Sequence, residues 1–416
     1  MTQLLSNNFL SQIRLPLLLK LLTTALGFLV NWYFAQNLST DDFGLFALFQ
    51  LLILFIVAIS KCGLDQAAVR FIASQQHTDI LKFLPRVYAI FFTCISITVV
   101  TTGLLCHFYS LLSISGISTF QFWTLLHIAS FATAIINLNA CIFKGLSKPS
   151  LFTTFSGFAS LCILLFGATT MHLSTLALVL YLVTGALCIT AITSLFIVIK
   201  LRPPSTTTPQ PRYSFWISAK AFWISGLVYL VVQQGSQLYL STQVSLSQLG
   251  VYAIVTKLAM LPSIFLFALN SVTAAKFAKS YSQHRLDEVK QLFSLSQSTS
   301  IFVAAITVLL FYFYSEYLLG IFGEDYKQGE LWLLVLIAGQ IINLITGPAI
   351  TLLTMSGQEK TYQNISIFTA AITVILAMHL ITNHGPLGAA ITTAIAMSTQ
   401  NLLGYYFARY KVLRNH

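Results

Sequence analysis

Two cations interrupt long apolar runs in this 416-residue chain: Lys20, within LLLKLLTTALGFLVNW, and Lys257, within VYAIVTKLAMLPSIFLFAL. An ionisable side chain surrounded by apolar residues is costly, and in a membrane setting it tends to mark a functional position. Amides and hydroxyls recur around such positions at helical spacing. Lys20, Thr23, Thr24, Gly27 and Asn31 share one helix face, and His127, Ser130, Ala134, Asn137, Cys141 and Lys144 form a second stripe. Gln233 with Gln237, and Gln340 with Asn343 and Gly347, make a third and a fourth. Carboxylates are nearly absent from the apolar runs, Glu316 near a boundary being the closest case. Cations without carboxylates in a shared hydrated cleft attract an anion, so the chemistry legible here is non-covalent binding. Two structural readings compete with it. Small and polar residues also serve as contacts between membrane helices, and a long lysine stem can carry its ammonium to the nearer interface. His127, alone on its face, reads as a satisfied interior histidine.

Bond-breaking chemistry finds no support. The chain has no phosphate-cradling glycine loop ahead of a Lys-Ser/Thr pair, no His-Glu pair at metal spacing and no paired acidic motif on a long connection. No cofactor and no metal are expected. Cys62, Cys94, Cys106, Cys141, Cys162 and Cys188 stand singly in the first half, as small apolar filler without disulfide or ligand spacing.

The elements that must carry these residues follow from composition. With 56% hydrophobic residues, 8% charged and a mean hydropathy of +0.81, the chain is an integral membrane protein. Its uncharged runs have the length of helices rather than of the short alternating strands of a barrel. Twelve spans are predicted, at about 15–36, 45–61, 85–108, 120–143, 150–171, 175–199, 220–240, 251–275, 298–319, 331–354, 365–381 and 388–408. No signal peptide is read at the N-terminus. Of the 22 Lys and Arg residues, 20 fall in or beside one set of connections, which places both termini in the cytoplasm. The exceptions are Lys327 and Lys257. Topology and attraction to anionic lipid thus explain the net charge of +11, and a nucleic-acid partner is not needed. The opposite connections lean acidic and span about four to twelve residues, too short to hold the acceptor of a membrane glycosyltransferase or polymerase.

The segment 41–74 returns at 247–280 displaced by 206 positions. Gly44 falls on Gly250, Ala47 on Ala253, Ala68 on Ala274, Arg70 on Lys276 and Phe71 on Phe277, while Arg14 falls on Lys220 and Asn31 on Gln237. A shift of nearly half the chain indicates tandem duplication. The Pro- and Thr-rich stretch KLRPPSTTTPQPR marks the seam. The expected architecture is all-α and polytopic, with 12 transmembrane helices in two parallel six-helix lobes around a central cleft. The lobes are 1–200 and 214–416, with a cytoplasmic linker at 201–213. An even number of spans per copy relates them by an axis along the membrane normal. Lys20 lies about 6 Å inside the cytoplasmic edge and Lys257 about 9 Å inside the external edge by helical rise. Their repeat counterparts, Gly226 and Leu51, carry no charge, so the duplicated fold does not itself require either cation.

With these residues in place, LSTDDFGLFALF, CGLDQAAVRFIAS, FKGLSKPSLF and QLGVYAIVTKLA carry a resemblance. The chain resembles polysaccharide flippases of the multidrug, oligosaccharidyl-lipid and polysaccharide (MOP) exporter superfamily, in particular bacterial O-antigen transporters. The resemblance implies a protein of the bacterial inner membrane that passes undecaprenyl-diphosphate-linked oligosaccharide from the cytoplasmic to the periplasmic leaflet. It also implies membrane lipids, a coupling ion (H+ or Na+) and other polysaccharide assembly proteins as partners. Relatives often carry an acidic residue late in span seven, where this chain has Gln237. Combined with the bottom-up reading, Lys20 and Lys220 with Arg70 draw in the diphosphate. Asn31, Asn137, Gln233 and Gln237 meet the sugars, and Lys257 holds the head less firmly on the far side. A drug or cation antiporter of the same superfamily would need a mid-depth carboxylate, and a flippase for another polyprenyl-linked precursor remains an alternative.

Overall fold

The computed structural model describes residues 7–74, 87–98, 101, 118–171, 175–201 and 213–414. Among these residues helices are the only regular secondary structure, and no strand is present. Helix α1 runs Asn7–Asn37 and α2 Thr40–Ser60. Helix α2 starts sharply because the Asp42 amide donates to Ser39 Oγ at 3.1 Å, with Asp41 and Asp42 in the positive first turn. It stops at Lys61, where Cys62 and Gly63 both take positive φ, 46° and 71°, and turn the chain into α3, Leu64–Ser74. Leu64, Ala68 and Ile72 are buried at four-residue spacing, so α3 lies on its apolar face. Helix α4 is Val87–Thr98, within the expected third span.

Helix α5, Thr119–Gly145, opens on a capping box between Ser118 and Gln121. It closes where Ser147 takes φ 57° and the Lys148 amide reaches back to the Phe143 carbonyl at 2.9 Å. Helices α6, Pro149–Thr153, and α7, Ala159–Thr170, are joined through a π-turn, and α8 is Leu176–Lys200. Residues 202–212, most of the expected linker, lie outside the described residues, as does Cys106.

Helix α9 is Tyr213–Leu240. Helices α10, Leu246–Ala259, and α11, Ser263–Ser282, meet at a 43° bend, since Pro262 has no N–H to continue the ladder. The long α12, Leu286–Gly320, starts well before the expected edge at 298. Helices α13, Glu330–Thr346, and α14, Ala349–Met355, are separated at Gly347 and Pro348, with Gly347 at φ 59°. Gln297 Nε2 donates to the Ile345 carbonyl at 3.1 Å, satisfying an acceptor at the broken end. Helices α15, Glu359–Leu376, and α16, Thr382–Ala408, complete the chain.

Eight helical stretches among the described residues are long and apolar enough to cross a membrane, or nine with the bent pair α10 and α11. The expected count of twelve is compared over the described residues alone: helices α15 and α16 run together as one 55-residue stretch, and α4 and α9 are each described over only part of their spans.

The chain forms two compact units: residues 1–38 with 48–227, and residues 39–47 with 228–416. Ala132, Ile136 and Ala191 make a core of the first, where α5 packs on α8. The second is built on Phe277, Val289, Phe293, Leu352, Leu353, Ile365 and Val412. The duplication recurs in local chemistry. Ser39 and Ser245, 206 apart, both cap a helix N-terminus. Ser147 and Gly357, 210 apart, both take positive φ after a helix, each followed by an amide that reaches back to a carbonyl five residues earlier.

Candidate functional site

Five of the eight sequence-derived site residues belong to the first unit: Lys20, Asn31, Arg70, Asn137 and Lys220. Lys20 is exposed on α1, and the Thr24 hydroxyl donates to its backbone carbonyl at 3.0 Å. Thr23 faces Gly157 and Gly27 faces Leu161, so this part of the stripe is a packing surface against the α6–α7 span. Asn31 is buried and donates to the Gly27 carbonyl at 2.5 Å, which satisfies one side of its amide within the helix. Arg70 lies on α3, with its side chain outside the described residues. Asn137 is half-buried on α5 and Lys220 is exposed on α9.

Gln233, Gln237 and Lys257 belong to the second unit. The two glutamines are half-buried, one turn apart on α9. Lys257 is half-buried, its Nζ 5.9 Å from the ring centroid of Phe43. That distance is within cation–π range, so the ammonium has an aromatic partner even in apolar surroundings. Phe43 itself meets Phe46 and Tyr326 edge-on, at 5.8 and 6.0 Å.

The fourth polar stripe serves packing. Gln340 is 2% exposed, and its side-chain oxygen accepts from Ser263 Oγ at 2.9 Å and Asn343 Nδ2 at 3.1 Å. This cluster ties α13 to the first residue after the α10–α11 bend. At the far end of α12, Lys327 Nζ lies 2.8 Å from Glu324 and 3.6 Å from Glu316, beside a cavity of about 410 Å³. The acidic cluster is therefore partly neutralised within the second unit.

Asn139 is a polar residue that sequence reasoning passed over in favour of Asn137. It is fully buried. Its Oδ1 accepts from the Tyr88 hydroxyl, its Nδ2 donates to Ser194 Oγ at 2.8 Å, and Ser194 donates on to the Ala191 carbonyl at 2.8 Å. One side chain thereby joins α4, α5 and α8. The signal was available, because Asn139 continues the stripe of Ala132, Ile136 and Phe143, all buried. A polar group on such a face has to be bonded. Asp65, also buried, is paired to Lys61 at 3.0 Å where α2 turns into α3.

Known proteins share this organisation. A family model described as polysaccharide biosynthesis protein matches residues 10–275, and a second, MatE, matches residues 224–379. The capsular polysaccharide biosynthesis protein CapF of Staphylococcus aureus is 25% identical over 161 residues, 38% of this chain and 40% of that protein. The chain thus aligns with less than half of that relative's length. The lipid II flippase MurJ, in an inward closed conformation, superposes with a TM-score of 0.71 at 17% identity, over 95% of this chain and 86% of that one. A MOP superfamily transporter from Pyrococcus furiosus superposes with a TM-score of 0.65 at 11% identity, over 97% of this chain and 95% of that one. The chain therefore shares the all-α, polytopic membrane fold of these two proteins. Within that class the chain belongs to the polysaccharide biosynthesis protein family.

Proposed function

We propose that this protein is a flippase that carries an undecaprenyl-diphosphate-linked oligosaccharide, such as an O-antigen repeat unit, from the cytoplasmic to the periplasmic leaflet of the bacterial inner membrane. The observation that carries the reading is the family match over residues 10–275, joined to the placement of the cations. Lys20 and Lys220 are exposed on α1 and α9, helices that correspond in the two repeats, and the charge distribution puts both lysines near the cytoplasmic edge. The two lysines meet the diphosphate there, and the half-buried amides of Asn137, Gln233 and Gln237 meet the sugars. The lipid tail stays in the bilayer. Two repeat-related lobes expose the head alternately to each side, and Lys257 holds it less firmly on the periplasmic side because its ammonium already has the Phe43 ring as a partner. The cycle draws on an ion gradient or on removal of the product.

The test is export in the protein's own host. Deletion should cause accumulation of one lipid-linked saccharide, whose chemical identification separates O-antigen from another polyprenyl-linked precursor. Lys20→Gln and Lys257→Gln should lower restored export at least tenfold at normal abundance, while the Arg replacements keep part of it because the charge survives. Arg414→Gln, near the end of the chain, should be neutral. Full export by both Gln variants would overturn the diphosphate reading. Drug resistance lost on deletion, with no lipid accumulating, would favour the antiporter.

A further inference from the structure

We propose that the cavity at the turn between α12 and α13 is a saccharide subsite, which holds the sugars of the cargo on the external side through Tyr317, Glu316, Glu324 and Lys327. The inference rests on the flippase reading above, and it adds a second station at which the cargo is held.

The sequence supplies the starting point. Lys327 is one of two basic residues that the charge distribution leaves outside the cytoplasmic connections, and unlike Lys257 it stands beyond the apolar runs. A lysine kept on the external side calls for a local reason. Stability does not supply it, because an ion pair open to solvent contributes little. The structure places the ammonium on the wall of a cavity of about 410 Å³, 2.8 Å from Glu324 and 3.6 Å from Glu316. That volume falls within the range of about 300 to 1,000 Å³ common to small-molecule sites.

The walls are held from behind. Leu319, Phe322 and Tyr326 are buried, and Ser315 Oγ donates to Glu330 Oε1 at 2.6 Å, tying α12 to the start of α13. A single 3-10 turn, Glu324–Gly329, carries Glu324 and Lys327 between the two helices. Gly320 makes room for the lysine stem, since an added Cβ there would lie 3.0 Å from Lys327 Cε. Tyr317, 69% exposed, supplies an aromatic wall. Tyr312, Phe313 and Tyr314 are also exposed on α12, in the manner of an aromatic belt at a membrane edge. Tyr317 differs from them in lining the cavity.

These groups fit a sugar. A pyranose ring has a C–H face that packs on an aromatic ring, and a rim of hydroxyls that donate to carboxylates and accept from an ammonium. Each carboxylate has about four lone-pair sites, so the ammonium leaves Glu316 and Glu324 acceptor capacity toward the cavity. Two carboxylates against one ammonium leave one negative charge, which repels a diphosphate. The cavity therefore selects the sugar part of the cargo, whereas Lys20 and Lys220 select its diphosphate.

The test uses full-length protein in nanodiscs and, as probe, the free repeat-unit oligosaccharide cut from the host's own surface polysaccharide. Acylation of Lys327 by an amine-reactive ester is followed by mass spectrometry with and without the probe. The ratio of the two rates measures protection, so differences in intrinsic reactivity between variants cancel. In wild type an excess of the oligosaccharide should slow acylation of Lys327 at least fivefold, with Lys290 unaffected. Tyr317→Leu should abolish the protection, and Tyr317→Phe should keep most of it because the ring remains. Glu316→Gln, nearly isosteric and on an exposed position, should weaken protection at least threefold. Tyr312→Leu, outside the cavity, should keep it in full. No protection in wild type, equal protection in Tyr317→Leu, or equal protection by inorganic pyrophosphate would overturn the subsite. Export in the deletion host is scored separately. Wild type that restores no export overturns the flippase reading, and the protection of Lys327 still decides the cavity.

Discussion

The Asn139 network makes a quantitative prediction. Asn139→Ala removes two interhelical side-chain bonds, from Tyr88 and to Ser194. Such bonds between membrane helices are worth about 0.6 kcal/mol on average and up to about 1.7. The loss should therefore be about 1 to 3 kcal/mol, with the void left by the side chain favouring the upper part of that range. Ser194 keeps its own acceptor, the Ala191 carbonyl at 2.8 Å, so the Tyr88 hydroxyl is the group deprived of its partner. Reversible unfolding by SDS in mixed micelles, followed by tryptophan fluorescence, gives the free energies. A double-mutant cycle with Ser194→Ala should return a coupling of about 0.6 to 1.7 kcal/mol, isolating the pair from the cavity. Asn137→Ala, two residues away and half-buried, should stay within about 0.5 kcal/mol of wild type. If Asn139→Ala also stays within that margin, or the cycle shows no coupling, the argument that one buried amide joins three helices is wrong.

Two further expectations come from the helix ends. Ser147 holds a left-handed conformation, φ 57°, that Gly357 takes at the end of a later helix, so Ser147→Gly should stabilise the protein by about 0.5 to 1 kcal/mol in the same unfolding assay. A loss of stability would mean that the serine side chain contributes more than its backbone costs. The Cys62 thiol is pushed up to about 11 by burial and by Cys94 beside it. Its thiolate fraction near pH 8 is then about 100-fold below that of an ordinary cysteine, and alkylation should accelerate with pH well past 9. Rapid labelling of Cys62 at pH 8, mapped by mass spectrometry, would contradict that surrounding.

Hydropathy and helical spacing were enough to read the class, because a lipid-facing helix must announce itself in its own residues: each apolar run has to satisfy its backbone internally and shield it along its length. The 206-residue repeat was legible for a related reason. Ser39 and Ser245 cap their helices through local bonds, so a conserved local pattern implies a conserved local structure. The cations were found the same way, as charges out of place in apolar sequence. Partnership was not legible. Whether a polar residue in a span faces a neighbour or an open space depends on the helix opposite, which lies tens or hundreds of residues away. Asn139 and Asn137 look alike in INLNA, yet one is fully enclosed by Tyr88 and Ser194 and the other is half-buried. Gln340 read as cleft lining and is engaged by Ser263, 77 residues distant in sequence. Gly44 and Gly250 stood out in the repeat only as aligned small residues. That they meet, with no room for a single Cβ between two backbones, is a property of two helices crossing, and only the tertiary structure decided it.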